Sequence, residues 1–139
     1  MAAGFRFRYR LSGAAPTIQV LKASATATLT KGDILNLASG KAALAATTNT
    51  NLLGVCLDTG ARTADVSDVV VITDADAVYA VDDANARVVG ATLDLSGSTG
   101  AQTVAASSNK EFVVVAPSSA SEETLVRLNV GKAFGNKAQ

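Results

Sequence analysis

The chain has 139 residues, 48% of them apolar but only 4% aromatic, with 12 basic side chains balancing 12 acidic ones. That length suits one domain whose core closes without metals or disulfides, and the apolar fraction excludes a disordered chain. Zero net charge argues against a protein that coats nucleic acid, because such affinity comes from neutralising phosphates.

The first predicted element is residues 4–10, GFRFRYR, where Phe5, Phe7 and Tyr9 alternate with Arg6, Arg8 and Arg10. This is the period of a β-strand with one aromatic and one cationic face. Three readings fit it: a solvent-facing edge of the protein's own sheet, a strip on which nucleic-acid bases stack, or an arm that adds itself to a sheet edge on another chain. The third is preferred, because arginine and aromatic side chains concentrate at the energetic centres of interfaces. Ser12-Gly13-Ala14-Ala15-Pro16 follows as a small, flexible hinge, with Pro16 biasing Ala15 away from helix. The expected organisation is an arm and hinge over residues 1–16, a β-rich body over 17–130 and a short tail over 131–139. The body is expected to fold without the arm.

Thr17 to Lys22 opens the body as a strand, and Ala23 to Thr30 alternates small apolar and hydroxyl residues as another. Lys31-Gly32-Asp33 is turn chemistry, since glycine accepts the positive φ of a sharp reversal. Ile34, Leu35 and Leu37 make a short strand, and Ser39-Gly40-Lys41 turns the chain again. Residues 41–51 read as a short strand and then an exposed loop, because Thr47-Thr48-Asn49-Thr50-Asn51 ends any helix that the alanines begin. Leu52-Leu53-Gly54-Val55-Cys56-Leu57 is a buried strand, closed by Asp58-Thr59-Gly60.

Ala61 to Asp68 reads as a polar loop. Val69 to Thr73 is β-branched throughout and long enough for a central strand. It is expected to form a hairpin with Ala77 to Val81 across Asp74-Ala75-Asp76. Asp82 to Gly90 has the layout of a short helix, with an aspartate cap, Arg87 near the carboxyl end and Gly90 after it. Thr92 to Leu95 is a strand, Ser96-Gly97-Ser98-Thr99-Gly100 a loop, and Gln102 to Ala105 a weaker strand. Phe112 to Ala116 is a strand ended by Pro117, and Leu125 to Val130 is the last. Phe134 is the one large apolar group of the tail, which is either mobile or a second docking point. The fold class is therefore all-β: a single small sandwich or barrel-like domain of about eight to ten short strands, with at most one short helix.

The inventory for catalysis is thin. There is no histidine and only one cysteine, which removes the commonest general base, the usual zinc spacings and a Cys–His nucleophile pair. Cys56 lies in an apolar strand and reads as a small, inert hydrophobe. Asp65, Asp68, Asp74, Asp76, Asp82 and Asp83 cluster in sequence, yet they lack the further ligand and glycine positions of an EF-hand loop and read as turn and cap formers. Ser96 to Gly100 has neither the lysine nor the helix of a phosphate-binding loop and reads as a hairpin loop. No catalytic, cofactor or metal residue is predicted. Leu11 to Pro16 is too short and polar for the core of a signal peptide, and no apolar run nears the roughly 20 residues that span a bilayer. The expectation is a soluble protein.

The order KGD, apolar strand, SGK turn, LLGVCLDTG resembles the core unit of tailed-phage capsid decoration, or cement, proteins of the β-tulip type. Gly90-Ala91-Thr92-Leu93-Asp94-Leu95 and the strand Phe112 to Val115 fit the same plan, so the likeness runs over residues 17–130. The resemblance implies a structural protein of the virion, made in the host cytoplasm, that stabilises a bacteriophage head from its outer surface. Its implied partners are the major capsid protein and two further copies of itself in a trimer, with no nucleic acid, membrane or cofactor. The docking residues would then be Phe5, Arg6, Phe7, Arg8, Tyr9 and Arg10. A surface adhesin or carbohydrate-binding β module is the alternative, although Tyr79 and Phe112 are the only aromatic residues of the body on which a sugar could stack.

Overall fold

Thirteen strands and no α-helix are found in the computed structural model, which describes residues 4–106, 108–118, 122–129 and 132–133. In chain order the strands are β1 (Phe5–Arg10), β2 (Ile18–Lys22), β3 (Ala27–Leu29), β4 (Ile34–Ala38), β5 (Lys41–Leu44), β6 (Leu52–Val55) and β7 (Gly60–Arg62). There follow β8 (Asp68–Ile72), β9 (Ala77–Asp83), β10 (Thr92–Ser96), β11 (Thr103–Ala106), β12 (Phe112–Ala116) and β13 (Glu122–Leu128). The largest sheet has six strands in the order β1-β9-β13-β12-β10-β11, all antiparallel. A three-stranded sheet, β5-β4-β6, and two pairs, β2-β8 and β3-β7, complete a small all-β domain. Among the described residues, no sheet closes into a barrel.

Two turns set the geometry of the three-stranded sheet. Gly32 has φ +99, and an added Cβ there would lie 3.3 Å from the Phe5 carbonyl oxygen, so only glycine lets the turn approach β1 this closely. Ser39 and Gly40 both have positive φ, 50 and 78, as a two-residue hairpin turn between β4 and β5 requires.

The core divides into two clusters, and the strands between them explain the densest apolar runs. Ile34, Leu52 and Val55 pack with Phe5, Tyr79, Val81, Leu93, Phe112 and Val126 in the larger cluster. Leu35, Leu53 and Cys56 pack with Leu29, Val69 and Val71 in the smaller one. A strand with a cluster on each face must be apolar at successive positions, so β6 reads LLGV with no polar alternation.

Four expectations are corrected here. The stretch read as an arm is strand β1, paired along β9 from Phe5↔Val81 to Arg10↔Ala77, so residues 5–10 are part of the body's sheet. Val69 to Thr73 and Ala77 to Val81 do not form a hairpin: β8 pairs with β2, whereas β9 pairs with β1 and β13. The corner between them is tied elsewhere, with Asp74 Oδ2 accepting the Thr17 N–H at 2.6 Å and Asp76 Oδ2 that of Ser12 at 3.1 Å. Asp82 to Gly90 is not helical, because β9 runs on to Asp83, whose carboxylate grips Arg87 at 2.6 Å and accepts the Asn85 N–H. The loop expected over Ala61 to Asp68 begins with strand β7, where Arg62 is buried, hydrogen-bonded to Asp58 and to the Asp68 carbonyl. Phe134 and the end of the last predicted strand at Val130 lie outside the described residues.

Candidate functional site

The alternating aromatic and cationic strand is half built into the body. Phe5 is 2% exposed, and its ring stacks on Phe112 with centroids 5.0 Å apart and planes at 22°. Phe7 packs partly buried against the same cluster, while Tyr9 is 45% exposed. The register shifts between Phe7 and Tyr9, so Arg8 bulges from the ladder at the outer edge of the six-stranded sheet. An aromatic face meant for a partner would not be buried in this way. Only its Tyr9 end is open.

The cationic face is met by the protein's own carboxylates. Arg6 reaches Asp82 at 2.8 Å and Glu123 at 3.0 Å, and Arg8 reaches Glu123 at 2.5 Å. Arg10 pairs with Asp76 at 2.8 Å and Asp74 at 3.5 Å. Hydrogen bonds from Arg8 and Arg6 hold the Glu123 carboxyl below the ordinary carboxylate range. Partial burial works against ionisation of Asp76, but the bonds from Arg10 and Ser12 outweigh it and lower its pKa too. The expected hinge is also anchored, by Leu11 N–H on the Asp76 carbonyl and Gly13 N–H on the Arg10 carbonyl.

Beside β1 lies a half-open concavity of about 440 Å³, lined by Phe5, Arg6, Phe7, Lys31 and Gly32 and by the run Val55 to Leu57. Among the described lining residues, Arg6 and Lys31 carry the charge, and the others are apolar or glycine. Cys56 is fully buried; desolvation pushes its thiol pKa up, and the thiol donates to the Asp58 carbonyl at 3.1 Å. A cavity with two cations and apolar walls can seat an apolar group next to an anion.

The clustered aspartates serve as ion-pair partners. Asp65 meets Lys41, Asp68 meets Lys22, Asp82 meets Arg6 and Asp83 meets Arg87. Among the described residues, no group of three or more His, Cys, Asp or Glu side chains could hold a metal ion.

Sequence reasoning missed a set of buried polar residues that join the sheets. Asp33 accepts the Thr30 N–H at 2.8 Å, the Thr99 hydroxyl at 2.5 Å and the Gly100 N–H at 2.9 Å. The serine–glycine loop is therefore a strap over the KGD turn. Gln102 accepts the Ile34 N–H at 2.6 Å and donates to the Ala45 carbonyl at 3.0 Å. Glu111 Oε1 takes the Leu95 N–H and the Thr47 hydroxyl, and its Oε2 is buried with no hydrogen-bond partner among the described residues. The available signal was an acidic or amide residue directly before an apolar strand, a position that turn chemistry explains equally well.

Comparison with protein-family models finds none that matches the chain, and comparison with curated proteins likewise finds no match.

Proposed function

We propose that this protein is a capsid decoration protein, which binds the outer surface of an assembled phage head and stabilises it by bridging coat subunits. The observation that carries the reading is the order KGD, apolar strand, SGK turn, LLGVCLDTG, whose resemblance to decoration proteins falls on one contiguous unit. That unit comprises the Gly32 turn against β1 and the sheet β5-β4-β6. The partner is the major capsid protein, and the decorating unit is a homotrimer on the virion surface. Each copy contributes modest contacts, and simultaneous engagement of several coat subunits turns them into avidity.

The anchored state of β1 changes which residues do the docking. Phe5 belongs to the core. All three arginines are ion-paired, but Arg8, at 44% side-chain exposure against 36% for Arg6 and 23% for Arg10, is the one most open to a partner. The contact surface is the open end of the strand, Arg8 and Tyr9, with the adjoining concavity and the Lys31 ammonium at its rim. The test is co-sedimentation with purified empty heads of the cognate phage, comparing wild type with Arg8→Glu and Tyr9→Ala. Wild type should pellet with the heads, and Tyr9→Ala should lose about 2 kcal/mol of binding if the ring sits at an interface centre. Wild type that stays in the supernatant at every head concentration overturns the reading. Undiminished binding by both variants would remove these residues from the interface.

A further inference from the structure

The two-stranded sheet β2-β8 ends in an edge that no described strand pairs along Ile18 to Val20. Thr73 N–H donates to the Thr17 carbonyl and Ala23 N–H to the Ser67 carbonyl, so the odd-numbered residues of this stretch turn their backbone groups towards β8. Ile18 and Val20, of the opposite parity, turn theirs away. Ser24 shares that parity, and its N–H donates to the Ala42 carbonyl, where β5 takes over the same edge. No hydrogen bond holds the outward N–H or C=O of Ile18 or Val20 among the described residues. Their side chains are 55% and 58% exposed, among the larger apolar exposures of the protein.

An unpaired edge with β-branched side chains is a template for another strand unless charge, proline or a bulge blunts it. Here the charge comes only at the far end, where Lys22 pairs with Asp68. Pro16 stands just before the strand. The open segment is therefore short, apolar and limited on both sides.

We propose that β2 pairs antiparallel with β2 of a second copy of this chain, about a twofold axis at Gln19. The pattern is self-complementary in this register. Ile18 lies opposite Ile72 and Val20 opposite Val70 within the chain. Placing Ile18 against Val20 of the second copy extends each pair into a row of four β-branched side chains across a continuous sheet, β8-β2-β2-β8. Such cross-strand pairs are the unit of sheet stabilisation, and a two-stranded ribbon gains independent stability once further strands join it. The register one step on, with the axis at Val20, would set Ile18 against the Lys22 edge, next to where β5 already pairs. It would also oppose an apolar side chain with a lysine. The charge pattern permits self-association as well, since the chain has no net charge and the Lys22–Asp68 pairs lie outside the paired segment on both copies.

One strand edge buries much less than the roughly 1,200–2,000 Å² of a stable interface, so the pairing is weak and concentration-dependent. It is independent of capsid docking, and its test contains no phage head. Gln19→Cys places one thiol at the twofold axis, in a pair whose side chains stand close, while the native Cys56 is buried. Under mild oxidation in native buffer the full-length variant should form a disulfide-linked dimer whose yield rises with protein concentration. Adding Val20→Pro should cut that yield about tenfold or more, because two symmetry-related N–H donors are lost at once. The Val20 N–H does not serve the β8 ladder, so the thermal transition should remain cooperative. Should Val20→Pro fail to fold, Val20→Lys carries the same comparison by placing a charge in each apolar row. Gln19→Cys that stays uncrosslinked up to about millimolar concentration, where even weak contacts populate, overturns the proposal. So does crosslinking that neither Val20 substitution reduces.

Discussion

Phe5 separates an appended arm from an integral strand, and its truncation is the sharpest test of how this molecule is built. The side chain is 2% exposed and stacked on Phe112 at 5.0 Å. Truncating a buried phenylalanine to alanine costs about 3–5 kcal/mol, and the lost ring pair accounts for about 0.5–1.5 of that. At about 4 °C per kcal/mol for a chain of this size, Phe5→Ala should melt about 12–20 °C below wild type. Urea unfolding followed by circular dichroism should show the same loss with an unchanged slope. Tyr9→Ala, four positions along the same strand and half in solvent, should fall within about 1 kcal/mol of wild type. A mobile arm predicts instead that both substitutions are silent. Phe5→Ala within about 1 kcal/mol of wild type would refute the packing of β1 into the core.

Four further outcomes are expected. Glu123 has a pKa below its ordinary 4.5 because of Arg8 and Arg6, so its contribution is present above that value and is lost as pH falls through the lowered one. Glu123→Gln should therefore destabilise near neutral pH, and its effect should fade as pH falls through the lowered pKa, read from urea midpoints across pH. Cys56, buried and with its thiol pKa raised by desolvation, should react with a thiol reagent at least about a hundredfold more slowly in the native protein than in denaturant. Gly54→Ala should abolish folding or cost more than about 4 kcal/mol, since its Cβ would lie 1.8 Å from the Ile72 carbonyl oxygen at φ +149. Asp94→Ala should cost about 2–4 kcal/mol, because Oδ1 accepts the N–H groups of Ser108, Asn109 and Lys110; measured unfolding within 0.5 of wild type would contradict it.

What the sequence made legible follows from local chemistry. Turns at Gly32 and Gly40 and the continuous burial of Leu52 to Val55 are dictated by residues within a few positions of one another. So is the β10–β11 hairpin across the serine–glycine loop. The errors arose where a local signal competes with a distant partner. Asp74-Ala75-Asp76 has hairpin chemistry, but its carboxylates are used by Thr17, Ser12 and Arg10, some 57 to 66 residues away. Asp82 to Gly90 carries cap residues at helical spacing, and β13 pairing up to Glu122↔Asp83 holds the start of that stretch extended. The alternation over Phe5 to Arg10 identifies a strand but not its partner, because alternation fixes a period and leaves the choice of edge open.

The buried acids suggest why a core so poor in aromatic residues can still fix thirteen short strands. Alanine, valine and leucine supply apolar area but little reach, so loops between sheets cannot be pinned by large rings. Asp33, Asp94 and Glu111 do that pinning, each accepting hydrogen bonds from another segment of the chain, at distances of 2.5–2.9 Å. A buried carboxylate held by several N–H groups is costly to release, since removing it strands all of its donors at once. The strap from Asp33 to Thr99 and Gly100 therefore holds the KGD turn in place, and that turn's Gly32 carbonyl accepts the Phe5 N–H at 2.8 Å. Strand β1 is thus fixed from both sides, by β9 and by the turn. If β1 docks as proposed, it would do so as a preformed shape and avoid the ordering cost that a free arm would incur.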